Sequence, residues 1–95
     1  LNSNEINDLK SYKTIPVELC IHGETGEETA PWVKRKIIDI TYCPDKTHLR
    51  LYFDKHFFIA IPLSSDVQQK RNNWIAFDKQ ARLYYAIRRG EDLND

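Results

Sequence analysis

The chain has no methionine, only three glycines and two cysteines, and no excess of either charge: 14 Lys and Arg stand against 14 Asp and Glu. Each shortage excludes something. Two thiols in a chain rich enough in apolar residues to build a core do not make a secreted disulfide framework, so Cys20 and Cys43 point to a reducing, cytoplasmic setting. A net charge of zero argues against the broad electrostatic attraction of a nucleic-acid or anionic-membrane binder, although a local patch remains open. No apolar run approaches the roughly 20 residues that span a bilayer, and the polar stretch Leu1 to Lys13 lacks the apolar centre of a signal peptide. With no initiating methionine, an upstream piece, even a removed signal, stays open. Gly23 and Gly26 frame Glu24 and Thr25, but no Lys-Ser/Thr pair or helix follows, so they form no phosphate loop.

What is present is globular: 41% hydrophobic and 12% aromatic residues over 95 positions, enough for one domain and too few for two. A core of that size is thin and leans on its Phe, Tyr, Trp and Ile residues. The expected domain is 1–95, with 1–13 a flexible tail or a short helix presenting Ile6, Leu9 and Tyr12 at spacing three.

From Thr14 to His22 the pattern has period two. Ile15, Val17, Leu19 and Ile21 occupy one face, and Pro16, Glu18, Cys20 and His22 the other. This predicts a first strand, at a sheet edge or with Pro16 turned from its neighbour, because proline donates no ladder hydrogen bond. Gly23 to Pro31 reads as a polar loop, and Val33 to Tyr42 as a second strand ended by a type I turn over Cys43, Pro44, Asp45 and Lys46. Leu49, Leu51 and Phe53 alternate in a third strand against outward His48, Arg50, Tyr52 and Asp54. After a hairpin, Phe57, Ile59, Ile61 and Leu63 alternate in a fourth. Ser64, Ser65 and Asp66 are good N-caps, so Val67 to Asn73 is expected to hold one or two helical turns. Trp74 to Phe77 and Leu83 to Ile87 fit either a last hairpin or a helix start. The resulting class is α+β: an antiparallel sheet of about five strands with one or two short helices.

The order of Lys36 to Tyr42 (KIIDITY), the turn with Asp45, Leu49 to Phe53 (LRLYF), Ile59 to Ser64 (IAIPLS), Arg71 to Trp74 and the terminal Gly90 to Leu93 resembles the small bacterial family catalogued as domain of unknown function 2442. The resemblance covers about two thirds of the chain. It departs in a shorter Leu63 to Arg71 interval, in Tyr85, Ala86 and Ile87 where a Trp-Pro pair is usual, and in Thr14 to Trp32, which has no counterpart. It implies a small α+β accessory or binding module and brings no catalytic residues.

Chemistry-bearing residues are sparse. Cys20, His22, Cys43 and His48 are four N/S donors, but no C-x-x-C or H-x-x-x-H pair organises them, so no metal is expected. Cys20 and His22 share a strand face at about 7 Å, beyond proton-transfer reach. Glu24, Glu27 and Glu28 read as solvated loop charges. Neither catalytic residues nor a cofactor are expected. The first reading is therefore a non-catalytic interaction module binding a protein partner or itself as a homodimer, with exposed Trp32, Tyr52 and Tyr84 as anchors and Trp74 assigned to the core. The alternative is RNA or DNA binding, through Arg50 and Tyr52 on one strand and Arg82, Tyr84 and Arg88 on another. An enzyme ranks third.

Overall fold

The computed structural model describes residues 1–23 and 31–90. The glycine- and glutamate-bearing loop between Gly23 and Pro31, and the acidic end after Gly90, lie outside them. Among the described residues the chain is mostly antiparallel sheet with one short helix, in the order α1 (Ser3–Lys10), β1 (Pro16–Gly23), β2 (Val33–Lys36), β3 (Asp39–Tyr42), β4 (His48–Tyr52), β5 (Phe58–Pro62), β6 (Asp66–Lys70), β7 (Asn73–Asp78) and β8 (Leu83–Arg89). These eight strands form a five-stranded sheet ordered β2-β1-β8-β7-β6 and a three-stranded sheet ordered β3-β4-β5. The expectation of about five strands thus describes the main sheet and misses the second.

The helix starts where Asn2 accepts from the Glu5 amide and Glu5 reaches back to the Asn2 amide, a capping box that satisfies two otherwise orphaned donors. Its buried Ile6 and Leu9 join Tyr12 beneath the main sheet. The Trp74 indole donates to the Glu5 carbonyl at 3.1 Å and Gln69 Nε2 to Asp8 Oδ2 at 2.6 Å, which ties α1 to β7 and β6. Trp74 is wholly buried. One core joins the inner faces of both sheets: Val17, Trp74, Ala76 and Ile87 from the larger, Ile40, Leu49, Leu51 and Ile61 from the smaller.

Several local expectations are corrected. Val33 to Tyr42 is two strands: Ile37 is buried and accepts from the Thr14 amide, Ile38 donates to the Tyr52 carbonyl, and at this corner the chain leaves one sheet for the other. Asp66 to Lys70 is a strand, not a helix, because it finds β7 as a ladder partner through a two-residue turn with Asn72 in the left-handed region (φ 66°). Of the two readings given for the last segments, the hairpin is the one that forms, its turn closed by the Arg82 amide on the Asp78 carbonyl, with Asp78 Oδ1 accepting from Gln80 and Ala81. β1 is not an edge. It lies between β2 and β8, and Pro16 is tolerated as its first residue, where little of the ladder is lost. Glu18 and Cys20, expected on an exposed face, are buried between neighbouring strands, Glu18 beneath the Arg88 side chain, whereas Ile21 near the strand's end is 38% exposed.

Candidate functional site

The outer face of the main sheet follows from its register. Glu18 pairs with Arg88, Cys20 with Ala86 and His22 with Tyr84 across β1 and β8, and Phe77 of β7 lies beside Tyr84. Arg88 Nε donates to Glu18 Oε1 at 2.7 Å, and its guanidinium sits 3.8 Å from the centre of the Trp32 ring. Trp32 is 37% exposed. His22 and Tyr84 stack with centroids 5.0 Å apart and planes 13° from parallel, and Phe77 adjoins Tyr84 at 4.6 Å. These rings form a rib across three strands. Because they stack on one another, their faces are partly used up, which leaves edges for a ligand. A hollow of about 190 Å³ beside the rib is lined by Asp66, Gln68, Ile75, Phe77 and Tyr84.

On the outer face of the smaller sheet, Arg50 Nη1 donates to the Tyr52 hydroxyl at 3.0 Å and its guanidinium lies 4.5 Å from the Phe58 ring centre, with Tyr52 and Phe58 in tilted contact. Below them the Cys43 to Lys46 turn, closed by the Lys46 amide on the Cys43 carbonyl, gathers polar groups around Asp45. Cys43 Sγ donates to Asp45 Oδ1 at 2.8 Å, as do the Thr47 hydroxyl at 2.8 Å and the Thr47 amide at 3.2 Å, and the Thr47 hydroxyl also meets His48 Nδ1 at 2.8 Å. These donors, the Cys43 thiol first, lower the Asp45 carboxyl to about 2. For Cys43 the Asp45 contact is the largest single influence and pushes the thiol up, as does burial. The Thr47 hydroxyl and the His48 and Thr47 amides outweigh both, and the thiol falls below its ordinary value. At Cys20 burial dominates and raises the thiol. Neither cysteine is in a disulfide.

The six residues singled out as a binding set are thereby divided. Arg50 and Tyr52 stand on the smaller sheet, and Trp32, Tyr84 and Arg88 on the larger. Arg82 sits in the β7–β8 turn at φ 59° rather than on the strand face. Cys20 and His22 are separated from Cys43 and His48 in the same way, and among the described residues no three His, Cys, Asp or Glu side chains gather in metal-binding reach.

No family model, curated protein or solved structure matches this chain. The resemblance to the domain of unknown function 2442 rests on the quoted residues alone.

The feature that sequence reasoning missed lies between β2 and the β4–β5 hairpin. A groove of about 560 Å³ there is lined by Leu19, Val33, Arg35, Phe53, Asp54, Phe57, Phe58 and Ile59. The hairpin is closed by the Phe53 amide on the Phe57 carbonyl, and its turn is braced by Asp54 Oδ1, which accepts from the His56 amide at 2.7 Å and the Phe57 amide at 2.8 Å. Those two contacts also lower the Asp54 carboxyl. Phe57, expected to point inward, is 69% exposed, and Phe58 is 39% exposed. A signal was available: adjacent Phe57 and Phe58 cannot both face the core from one strand, because successive side chains point to opposite sides.

Proposed function

We propose that this chain is a non-catalytic interaction module that binds a protein partner through the groove between β2 and the β4–β5 hairpin. The supporting observation is the exposure of Phe57, 69% of its surface, at the mouth of a groove walled by Leu19, Val33, Phe53 and Ile59. Fully burying such a side chain is worth roughly 1.5–3 kcal/mol, so an exposed phenyl ring beside a hollow is a ready source of binding energy. No helix among the described residues is long and apolar enough to cross a membrane. Two cysteines outside any disulfide fit a reducing, cytoplasmic setting.

Nucleic acid is the second reading, favoured by the aromatic and arginine content of both outer sheet faces. Against it, Arg88 is neutralised by Glu18, and the faces of Trp32 and Phe58 are occupied by Arg88 and Arg50. Bases stack on open ring faces, and phosphates need uncompensated cations.

The test is amide chemical-shift mapping of the isotope-labelled chain against a mixed pool of extended peptides and against mixed-sequence single-stranded DNA. The expected result is shifts at Val33, Arg35, Phe57 and Phe58 with peptide. Shifts confined to Tyr84, Arg88, Arg50 and Tyr52 with DNA, fading as salt rises, would replace this reading with the second.

A further inference from the structure

Resting on the reading of the groove as a protein-binding site, we infer that its occupant is an extended acidic segment that adds as a strand to the free edge of β2, with apolar side chains inward and carboxylates outward. Among the described residues no strand pairs with that edge. The direction of its backbone groups follows from the ladder. The Pro16 carbonyl accepts from the Gly90 amide on the β8 side, so Pro16 and Glu18 face β8 while Val17 and Leu19 face β2. Their partners Arg35 and Val33 therefore spend their backbone groups on β1, and Lys34 and Lys36 turn theirs to the open edge. Arg35 Nη1 donates to the Lys34 carbonyl at 2.8 Å, which places an acceptor of that edge within reach of a side chain that a partner strand would displace.

The side chains set the occupant's pattern. A strand laid along β2 projects every second residue to the inner side, where Leu19, Val33, Phe53 and Ile59 line the groove and Phe57 and Phe58 border it. The residues between them project to the outer side, beside exposed Lys34 and Lys36. That side favours carboxylates, whereas on the inner side Arg35 and Asp54 are of opposite sign and the remaining lining is apolar, which favours apolar side chains there. Main-chain hydrogen bonds with pockets for alternate side chains are the general mode of strand addition. A second copy of β2 is a poor occupant, because antiparallel pairing sets the Lys34, Arg35, Lys36 run against itself, and like charges directly opposite destabilise a sheet. Short lysine-bearing strands also protect sheet edges from pairing. The exposed phenylalanines beside this one distinguish a selective edge from a merely protected one.

The test uses the whole chain and two labelled peptides of about seven residues, a common strand length, one alternating valine with glutamate and the other valine with lysine. Fluorescence anisotropy should show the glutamate peptide binding at least about tenfold more tightly, a difference of about 1.4 kcal/mol. Phe57→Ser and Lys36→Glu, both at exposed positions, should each weaken it by about fivefold or more, in keeping with loss of an interface anchor or a charge partner. In the complex, hydrogen exchange should slow at the Lys34 and Lys36 amides and stay unchanged at Val33 and Arg35. Binding that Phe57→Ser abolishes but that leaves Lys34 and Lys36 unprotected, or that does not distinguish the two peptides, overturns the acidic strand and leaves the groove as a binding site. Absence of saturable binding by the glutamate peptide overturns the inference.

Discussion

Arg88 and Glu18 are registered partners on β8 and β1, 70 residues apart in sequence, and Arg88 joins the Glu18 carboxylate to the face of Trp32. One guanidinium thus holds a nearly buried carboxylate and an indole that leads into β2. Glu18 is 8% exposed, and the Arg88 guanidinium is the cation that faces it.

Arg88→Ala should cost about 2–3 kcal/mol, because a charged hydrogen bond and a cation–π contact are lost and a buried carboxylate is left unpaired. Glu18→Gln should cost less, about 1 kcal/mol, since the arginine it abandons is partly solvated. Urea denaturation of the two variants checks the order, and equal losses would refute it.

Trp74→Phe should cost about 1–3 kcal/mol, from lost volume and from the Glu5 carbonyl left without its indole donor. Hydrogen exchange in α1 should accelerate more than in β4, since Trp74 ties the helix to β7. Uniform acceleration would show that α1 is held by something else.

The Asp45 carboxyl, lowered to about 2 from an ordinary 3.8, makes the Cys43 to His48 turn acid-sensitive. A depressed carboxyl contributes stability that is present above its unfolded value and is lost as the pH falls through the folded value. Stability should therefore decline between about pH 4 and pH 2, and Asp45→Asn should flatten part of that decline. Thermal melts of both proteins across this window test it, and an unchanged slope in the variant would assign the acid loss elsewhere.

Thr14 sits at φ 66°, a strained conformation for a β-branched residue. Thr14→Gly should raise stability by about 0.5–1 kcal/mol, relief of the left-handed strain outweighing the greater unfolded-state freedom of glycine. A lower melting temperature would show that the Thr14 side chain contributes more than its backbone costs.

The local period was legible in the sequence wherever one face of a strand meets the core. Leu49 and Leu51 point inward, His48, Arg50 and Tyr52 lie on the other face, and Trp74 is buried. The Pro44 turn was legible too, because proline and aspartate act on their own backbone. Of the groove, only the adjacent phenylalanines and the Lys34, Arg35, Lys36 run were visible, since its walls come from strands far apart in sequence.

By itself, then, the sequence determined a mainly antiparallel sheet and the inward faces of its most regular strands, because these depend on composition and on short-range alternation. Tertiary structure alone decided that Asp66 to Lys70 is extended, that the chain changes sheets at Ile37 and Ile38, that β1 is central with Glu18 and Cys20 buried, and that Phe57 is exposed. The reason is physical: strand pairing satisfies backbone groups with partners as distant in sequence as Pro16 and Gly90, and no local pattern records which partner will come.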